Sequence, residues 1–281
     1  MNYAHAFHAG NFADVFKHAL LTRILVYLNR KDAPYRVIDT HAGEGAYDLS
    51  RDEVERTGEW REGIGRLASL DRASEAGALL APYLDLVGAC DAEGRPKIYP
   101  GSPQIAQRLT RKSDRLVFCE KHPQAFAALK YRFGRDSRVK ALDLDGWTAL
   151  GAFVPPPERR GLALVDPPYE KRDEFARIAK TFAAAHAKWN TGVYALWYPV
   201  KDARDAEALW RAIRASGARS ALRLELSVAP LSDAGLSRTG MIVVNPPFVL
   251  EQEARVLLPA LARLLERKDG LGAYAIEAFG G

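Results

Sequence analysis

The chain has 281 residues and 48% of them are apolar, so it can bury the core of one large domain and does not have the composition of a disordered protein. Its formal net charge of +5 is compatible with a polyanionic partner without identifying one. Two distant cysteines exclude a disulfide framework or a zinc ribbon. Because no apolar run reaches the ~20 residues of a membrane span and no secretory signal begins the chain, we expect a cytoplasmic protein.

The first regular element is a helix that Asn11 caps and that runs to about Asn29, with apolar side chains at helical spacing. Lys17 and His18 fall beside the apolar stripe. Four nearby histidines suggest a metal site: His5, His8, His18 and His41. They lack thiolate or carboxylate companions at the spacing of a zinc site, so we expect no metal and a polar, ligand-facing surface instead.

Residues 36–45 form a predicted strand that ends in a turn containing Gly43 and Gly45. These glycines let the backbone bend sharply and approach a ligand, as in the first turn of a nucleotide-binding α/β fold. Their spacing departs from G-x-G-x-x-G, so the pattern favours a nucleoside-like cofactor over one that carries a pyrophosphate. An ordinary strand-to-helix turn is the alternative.

The alternation of strand and helix stops between residues 48 and 97, where two charged helical stretches are predicted over residues 53–70 and 74–87. The segment is longer than a crossover connection requires. We therefore predict an inserted helical subdomain at 48–97, within a main domain made of residues 1–47 and 98–281. The arginines of the insertion either clamp substrate or form a solvated helix face.

Three further positions lie at the start of a predicted helix or just after a predicted strand. Ser102 is the predicted N-cap of a helix that has Pro103 at its first position. Glu120 ends a strand over residues 116–120, where a carboxylate in nucleotide-binding folds meets ribose hydroxyls. Asp145 and Gly146 follow a strand over residues 138–143, and Asp145 could accept a hydrogen bond from an adenine amine of the cofactor.

The helix between those two strands is predicted to bury Phe126, Leu129 and Phe133. A group of basic residues lies at its end and beyond: Lys130, Arg132, Arg135, Arg138 and Lys140. They form either a patch that contacts phosphates or a solvated helix end, and the sequence leaves both interpretations open.

The motif around which the chain is organised is an apolar run over residues 161–165 followed by Asp166, Pro167, Pro168 and Tyr169. The run predicts a strand buried on both faces, and the prolines prevent a continued sheet ladder or an ordinary helix turn. Oxygens of Asp166 and the Pro167 carbonyl could grip the hydrogens of a weakly nucleophilic exocyclic amine, while Tyr169 stacks on its base. A strand end with a capping carboxylate is the alternative.

A second strand ends in the same way, because Asn245 precedes two prolines and Phe248. Between the two motifs we predict helices over residues 173–189 and 202–216 and strands over residues 193–200 and 221–228. The second motif belongs to the last predicted strand, a place where an antiparallel edge strand or hairpin partner is common. We therefore favour Asp166 over Asn245, and expect Asp166 to converge with His41, Glu120 and Asp145 at the carboxyl ends of the strands.

Taken together these motifs resemble the RlmJ family of 23S ribosomal RNA adenine methyltransferases. The resemblance covers nearly the whole chain and rests on Tyr3 and on six stretches: FHAGNFADVFKH at residues 7–18, DTHAG at 39–43, YPGSP at 99–103, DPPY at 166–169, YALWYPV at 194–200 and GMIVVNPP at 240–247. One position departs from the family pattern, since Glu44 stands where a small residue is usual. The role of Glu44 is left open.

The resemblance implies a Rossmann-like α/β fold of the class I type that uses S-adenosylmethionine, with a small helical insertion. It implies methylation of the exocyclic N6 amine of an adenine in 23S ribosomal RNA, on free or precursor RNA, by a monomer. The implied cofactor-binding residues are His18, His41, Ser102, Glu120, Asp145, Gly146 and Asp166. Asp166, Pro167 and Tyr169 are expected at the reacting amine, and Tyr3, Lys17 and Tyr169 at the substrate.

Two other functions are compatible with the sequence. DNA adenine methyltransferases also carry Asp-Pro-Pro-Tyr, so the acceptor could be DNA. A non-catalytic RNA-binding module on the same fold would keep the motifs without binding S-adenosylmethionine.

Overall fold

The computed structural model describes residues 5–171, 173–231 and 235–280, except the side chains of His5, Ala6 and Glu53. The α-helices in this part of the chain are α1 (Phe12–Leu28), α2 (Asp52–Thr57), α3 (Glu75–Val87), α4 (Ser102–Leu109), α5 (Pro123–Phe133), α6 (Gly146–Ala152), α7 (Glu174–Lys188), α8 (Ala203–Ala215) and α9 (Leu250–Leu265). The strands are β1 (Arg36–Asp39), β2 (Ala46–Asp48), β3 (Ile98–Pro100), β4 (Arg115–Glu120), β5 (Val139–Asp143), β6 (Gly161–Val165), β7 (Val193–Pro199), β8 (Ala221–Ser227), β9 (Arg238–Val244) and β10 (Ala273–Phe279).

An eight-stranded sheet has the order β10-β8-β9-β7-β6-β1-β4-β5. The five strands from β5 to β7 in that order are parallel, whereas β9 runs antiparallel to both β7 and β8. The chain moves outward from β1 in one direction through β4 and β5, and in the other through β6 and β7. This reversal makes a topological switch point between β1 and β6, and the predicted Rossmann-like α/β fold is confirmed.

Helix α1 begins where the sequence predicts, because the Asn11 side chain accepts a hydrogen bond from the Asp14 backbone N–H. It is buried on nearly every side, since α3, α4 and α9 all pack against it. Lys17 and His18 are therefore buried polar residues on a core helix. Such residues are retained only with hydrogen-bond or charge partners, which both of them have.

Strands β2 and β3 pair antiparallel, and the residues between them pack on α1 and α9. The predicted helical stretch over residues 53–70 is wrong as one element. It is broken into α2 and two short 3₁₀ helices, Glu59–Glu62 and Ile64–Ser69, because Gly58 has a φ of 60° and Gly63 leaves the helical region. The second stretch is confirmed as α3, and the Ser74 side chain caps it.

The predicted strand over residues 161–165 is confirmed as β6, and all five of its residues are buried. The prediction for the second motif is confirmed in part, because its strand is the antiparallel hairpin partner of β8. Its strand, β9, is antiparallel as expected, but it lies inside the sheet between β7 and β8 and is not the last strand. Helix α9 and the edge strand β10 follow it. Strand β10 escapes sequence prediction because most of its residues are exposed on both faces and give no alternating burial pattern.

The smaller boundary predictions are mostly close. Leu129 and Phe133 are buried on α5, whereas Phe126 is half-buried. The strand predicted from residue 138 begins at Val139 as β5.

Cys90 and Cys119 are free thiols. Within the described residues, no helix is both long and apolar enough to cross a bilayer.

Candidate active site

Two adjoining cavities meet at the end of β6. The first lies over the carboxyl ends of β1, β4 and β6, at the switch point of the sheet, and the second lies beside the start of α1 and the end of β7. The residues that line both cavities are Lys17, Asp166, Pro167 and Pro168. The Asp-Pro-Pro segment is thus a wall between the two cavities, so one face can contact a cofactor and the other a substrate.

Asp166 is held by Lys17, which lies 149 positions earlier in the chain. The Lys17 Nζ donates to Asp166 Oδ2 at 2.6 Å and lies 2.9 Å from Asp14 Oδ1. Burial alone would lower the pKa of Lys17, but the carboxylates of Asp14 and Asp166 hold it well above its ordinary value. The ammonium group is therefore charged at neutral pH, and it fixes the Asp166 carboxylate at the boundary of the two cavities.

Ser102 does not cap its helix as predicted. Gly101 occupies the cap position of α4, and the Ser102 Oγ instead donates to Asp39 Oδ2 at 2.6 Å. Asp39 is 1% exposed at the end of β1. Burial raises the pKa of Asp39 to about 7, although the hydrogen bond from Ser102 opposes the rise. Sequence reasoning missed Asp39, yet its place at a strand end is the signal that identified the other carboxylates.

Glu120 reaches the first cavity from the end of β4. Its Oε2 accepts from the Gly43 N–H at 2.8 Å, and its Oε1 accepts from the His122 N–H at 2.6 Å. Gly43 has a φ of +59°, and a Cβ there would lie 2.3 Å from the Tyr47 hydroxyl oxygen, so no other residue fits the turn without a shift. The β1 turn and the β4 carboxylate consequently form one wall of the cavity.

Asp145 and Gly146 form the opposite wall. The Asp145 Oδ1 caps α6 by accepting from the N–H groups of Trp147 and Thr148, both at 3.1 Å. A Cβ on Gly146 would come within 2.3 Å of the Thr40 carbonyl oxygen, so glycine is what lets α6 approach the end of β1. The predicted convergence of these residues with Glu120 around one cavity is what the structure shows.

His41 lines the same cavity as a neutral ring. Its Nδ1 is 2.8 Å from the Thr40 Oγ1, and its ring meets that of Trp147 edge-on with centroids 5.3 Å apart. Burial lowers the pKa of His41 to about 4, more than the neighbouring Asp166 and Asp145 carboxylates raise it. At neutral pH the ring therefore offers one donor and one acceptor, and no charge.

His18 connects the first cavity to the segment between β2 and β3. Its Nδ1 is 2.8 Å from the Tyr99 hydroxyl, which is 2.9 Å from the Tyr83 hydroxyl on α3. All three side chains are buried. A chain of hydrogen bonds between buried groups fixes the orientation of the His18 ring at the cavity wall.

Tyr169 lies in the second cavity and does not line the first. It has a φ of 51°, and its hydroxyl donates to the Trp197 carbonyl oxygen at 2.6 Å. The ring packs against Phe175, with centroids 5.1 Å apart, and edge-on against Trp197 at 5.7 Å. Sequence reasoning assigned Trp197 to the core or to a wall, and it lines this cavity. Tyr169 and Trp197 give the second cavity an aromatic side.

The mouth of the second cavity is polar. The His8 Nδ1 lies 3.0 Å from Glu59 Oε1, and that hydrogen bond raises the pKa of His8. Lys201 is an exposed residue of the same rim. The cavity volume of about 550 Å³ is in the range that holds a small ligand or a single nucleoside.

Tyr3 is outside the described residues. Asn245 lies next to the start of β7, at the edge of the sheet opposite Asp166, because β9 runs antiparallel to β7. In the described part of the chain, no cluster of three or more His, Cys, Asp or Glu residues could hold a metal ion.

Comparisons with known proteins give one consistent result. Residues 32–277 match the family model described as Ribosomal RNA large subunit methyltransferase D, RlmJ. The chain is 42% identical over 262 residues to the Ribosomal RNA large subunit methyltransferase J of Escherichia coli K12, covering 93% of this chain and 92% of that one. It is 39% identical over 279 residues to the protein of the same name from Haemophilus influenzae Rd, covering 99% and 98%.

A solved structure agrees with this similarity. The crystal structure of protein LPL1258 from Legionella pneumophila strain Philadelphia 1 matches with a TM-score of 0.86 and 35% identity, covering 96% of this chain and 98% of that one. The likeness in sequence and in fold therefore extends over nearly the whole length of the chain.

Proposed function

The chain belongs to the RlmJ family of ribosomal RNA large subunit methyltransferases, and from this we propose that it methylates the exocyclic N6 amine of an adenine in 23S ribosomal RNA with S-adenosylmethionine as methyl donor. One observation supports the chemistry above all others. Lys17 holds a carboxylate, Asp166, at the boundary between a cavity that suits a nucleoside-like cofactor and a cavity that suits a base.

The side chains of the first cavity fit the cofactor. S-Adenosylmethionine, when bound, supplies an electrophilic methyl group. Glu120 has both oxygens fixed by backbone N–H groups and is the proposed partner of ribose hydroxyls. Asp145 and Gly146 are the proposed adenine-side residues, and the close approach at Gly146 keeps that side of the cavity narrow. The rest of the proposed cofactor wall is His18, His41, Ser102 and Asp166.

Asp166 and Pro167 are the proposed grip on the adenine amine. Lys17 donates to Oδ2 of Asp166, so we assign Oδ1 to an amine hydrogen and the Pro167 carbonyl oxygen to the other. Two acceptors draw the nitrogen lone pair out of conjugation with the ring, and Oδ1 can take the proton that the amine releases. Lys17 holds this carboxylate in place, so most of its effect on the rate comes through positioning.

The second cavity is the proposed site of the flipped adenine. Tyr169 supplies an aromatic wall, and Tyr3 and Lys17 complete the proposed substrate set. Taking a base out of its stack costs a few kcal/mol, less in an unpaired segment, which favours free or precursor ribosomal RNA in the cytoplasm over an assembled subunit.

The proposal is tested by methyl transfer from labelled S-adenosylmethionine to transcripts of large-subunit ribosomal RNA, with duplex DNA as the competing acceptor. We expect incorporation into RNA only, as N6-methyladenine on mapping by mass spectrometry. Equal or greater incorporation into duplex DNA would identify a DNA methyltransferase. Failure of the chain to bind S-adenosylmethionine in calorimetry would leave a non-catalytic RNA-binding module.

A further inference from the structure

The surface that best fits an additional role is the outer face of α5, defined here as Lys130, Tyr131 and Arg132 of the helix together with Arg135, two residues past its end. The Tyr131 side chain is 90% exposed. Five large apolar or aromatic side chains are exposed in the described part of the chain: Tyr131, Leu231, Phe248, Leu271 and Tyr274. Only Tyr131 among them has a basic residue on each side in the sequence, Lys130 and Arg132.

The sequence of α5 and its immediate ends is basic. The whole chain has 40 basic and 35 acidic residues, yet the fifteen residues from 121 to 135 contain four basic residues and no Asp or Glu. Basic residues near the end of a helix can be explained by the helix dipole alone. The dipole does not explain an exposed aromatic ring between them, because Tyr131 gains nothing from it and leaves its apolar area in water.

The structure shows which of the five basic residues found in the sequence, from Lys130 to Lys140, are available to a ligand. Arg138 is half-buried and is committed to Asp136 and to the carbonyl oxygens of Gln107 and Thr110. The Lys140 ammonium lies over the Phe153 ring at 5.5 Å, away from α5. The exposed members that remain are Lys130 and Arg132, on either side of Tyr131 in sequence, and Arg135, four residues further on. Arg132 also donates to the Ala46 carbonyl oxygen at 3.3 Å, so Lys130 and Arg135 are the two basic residues assigned to RNA.

The outer face of α5 is continuous with the first cavity. Gln124 lines that cavity, and Tyr131 follows it by seven residues, which is two helical turns and about 10 Å along the axis. Ala127 occupies the turn between them, so no large side chain covers the Tyr131 ring from that direction. Arg135 is four residues further on, just past the end of the helix at Phe133.

We propose that this face is a second contact for the substrate RNA, in which Tyr131 stacks on an unpaired base and Lys130 and Arg135 bind the adjoining phosphates. An exposed aromatic ring among basic side chains is the arrangement that holds single-stranded RNA by stacking and charge. The inference rests on the proposed function, since it names a contact for the RNA whose target base lies at Asp166. Tyr131 lines neither cavity, so this contact would hold RNA that flanks the target nucleotide.

The test compares Tyr131→Ala with Phe248→Ala, because Phe248 is equally exposed, at 91%, but lies at the opposite edge of the sheet without basic neighbours in sequence. Binding to a transcript of large-subunit ribosomal RNA is measured by filter retention, and its methylation is measured in parallel. We expect Tyr131→Ala to weaken RNA binding at least about five-fold. Tyr131→Phe, which keeps the ring, should bind like the unmodified chain, and so should Phe248→Ala.

The double variant Lys130→Gln and Arg135→Gln measures the charge component. It should lower the slope of log affinity against log salt concentration by about 1.4, which corresponds to two single-strand phosphate contacts. S-Adenosylmethionine affinity should be unchanged in every variant. If the unmodified chain methylates the RNA but Tyr131→Ala binds within two-fold of it, the α5 contact is refuted alone. If the unmodified chain neither binds nor methylates the RNA, the proposed function fails as well.

Discussion

Two strand ends in this protein carry nearly the same sequence and have different structural roles. Asp166 follows β6 and lies between two cavities, where Lys17 binds it. Asn245 follows β9, and its amide Nδ2 donates to the carbonyl oxygens of Asn190 and Gly192 at 3.0 and 2.7 Å. Each segment contains a non-glycine residue with a φ of 51°, Tyr169 in one and Asn245 in the other.

The difference follows from strand direction. Strand β6 is parallel to β1 and β7, so its carboxyl end lies at the edge of the sheet where the other parallel strands also end. Strand β9 is antiparallel, so its end lies at the opposite edge, where no other strand end of the candidate site is found among the described residues. A proline-proline turn after an apolar strand is therefore a chemical motif only when the strand points toward the site.

The largest effect is expected from Lys17→Met. This substitution removes the cation that binds Asp166 at the end of β6 and that has no counterpart in the contacts of Asn245 at the end of β9. Breaking a buried ion pair costs about 3–5 kcal/mol, and it leaves the carboxylates of Asp14 and Asp166 without their shared cation. A displaced Asp166 carboxylate should slow methyl transfer about 10²-fold. Single-turnover rates and urea unfolding measure the two consequences.

Lys180→Met is the matched control for that substitution, because Lys180 is an exposed residue of α7. It should leave both rate and stability within error. A Lys17→Met enzyme of normal rate and stability would show that the ion pair does not position Asp166.

A smaller effect is expected from Asp39, the buried carboxyl group at the end of β1. Its titration should make the free energy of unfolding depend on pH. Its pKa is raised to about 7 in the folded chain, so the folded state keeps a proton that the unfolded state releases near pH 4. The stabilisation is complete below about pH 4 and is lost as pH rises toward 7. Relative to Asp39→Asn, the unmodified chain should lose on the order of a few kcal/mol over this window.

Urea unfolding between pH 4.5 and 8 measures this difference, with Asp269→Asn as a control at an exposed acid. An Asp39→Asn variant whose stability follows the same pH curve as the unmodified chain would mean that Asp39 is ionised throughout.

The smallest effect is expected from Asn245→Ala, which should destabilise the fold by about 1–3 kcal/mol through the loss of two hydrogen bonds, one of them to the carbonyl of the buried Gly192, and through an unfavourable positive φ. Asn245→Gly keeps the backbone conformation and separates the two causes. The methyl-transfer rate of the folded protein should be unchanged in both variants. A reduced rate with normal stability would show that Asn245, at the end of β9, has a catalytic role, and would contradict the different roles assigned to Asn245 and Asp166.

Local patterns were enough to predict much of the fold. The cap at Asn11, the buried strand before Asp166 and the helix over residues 75–87 depend on neighbours close in sequence, and the structure confirms them. The helix predicted through Gly58 failed because a helical charge pattern does not register a glycine in the left-handed region. The place of β9 inside the sheet depends on pairing with β7 and β8, which no local pattern encodes.

For the candidate site too, the features that depend on local sequence could be predicted and those that depend on long-range packing could not. Strand-end reasoning brought His41, Glu120, Asp145 and Asp166 to one cavity, because parallel strands end at one edge. The bond between Lys17 and Asp166 joins positions 149 apart and depends on how α1 packs over the sheet. The Ser102 hydroxyl was assigned to a helix cap, and its partner, Asp39, lies 63 positions away. Contacts of this range come from tertiary packing and have no signature in spacing.

The most direct test of the central claim compares Asp166→Ala and Asn245→Ala in single-turnover methyl transfer to ribosomal RNA, with the dissociation constant of S-adenosylmethionine measured for each. If Asp166 grips the amine, its variant should transfer methyl groups at least about 10²-fold more slowly, with cofactor affinity within about three-fold of the unmodified chain. The Asn245 variant should keep the normal rate. Undiminished turnover by Asp166→Ala would contradict the assignment of the β6 end as the reaction centre.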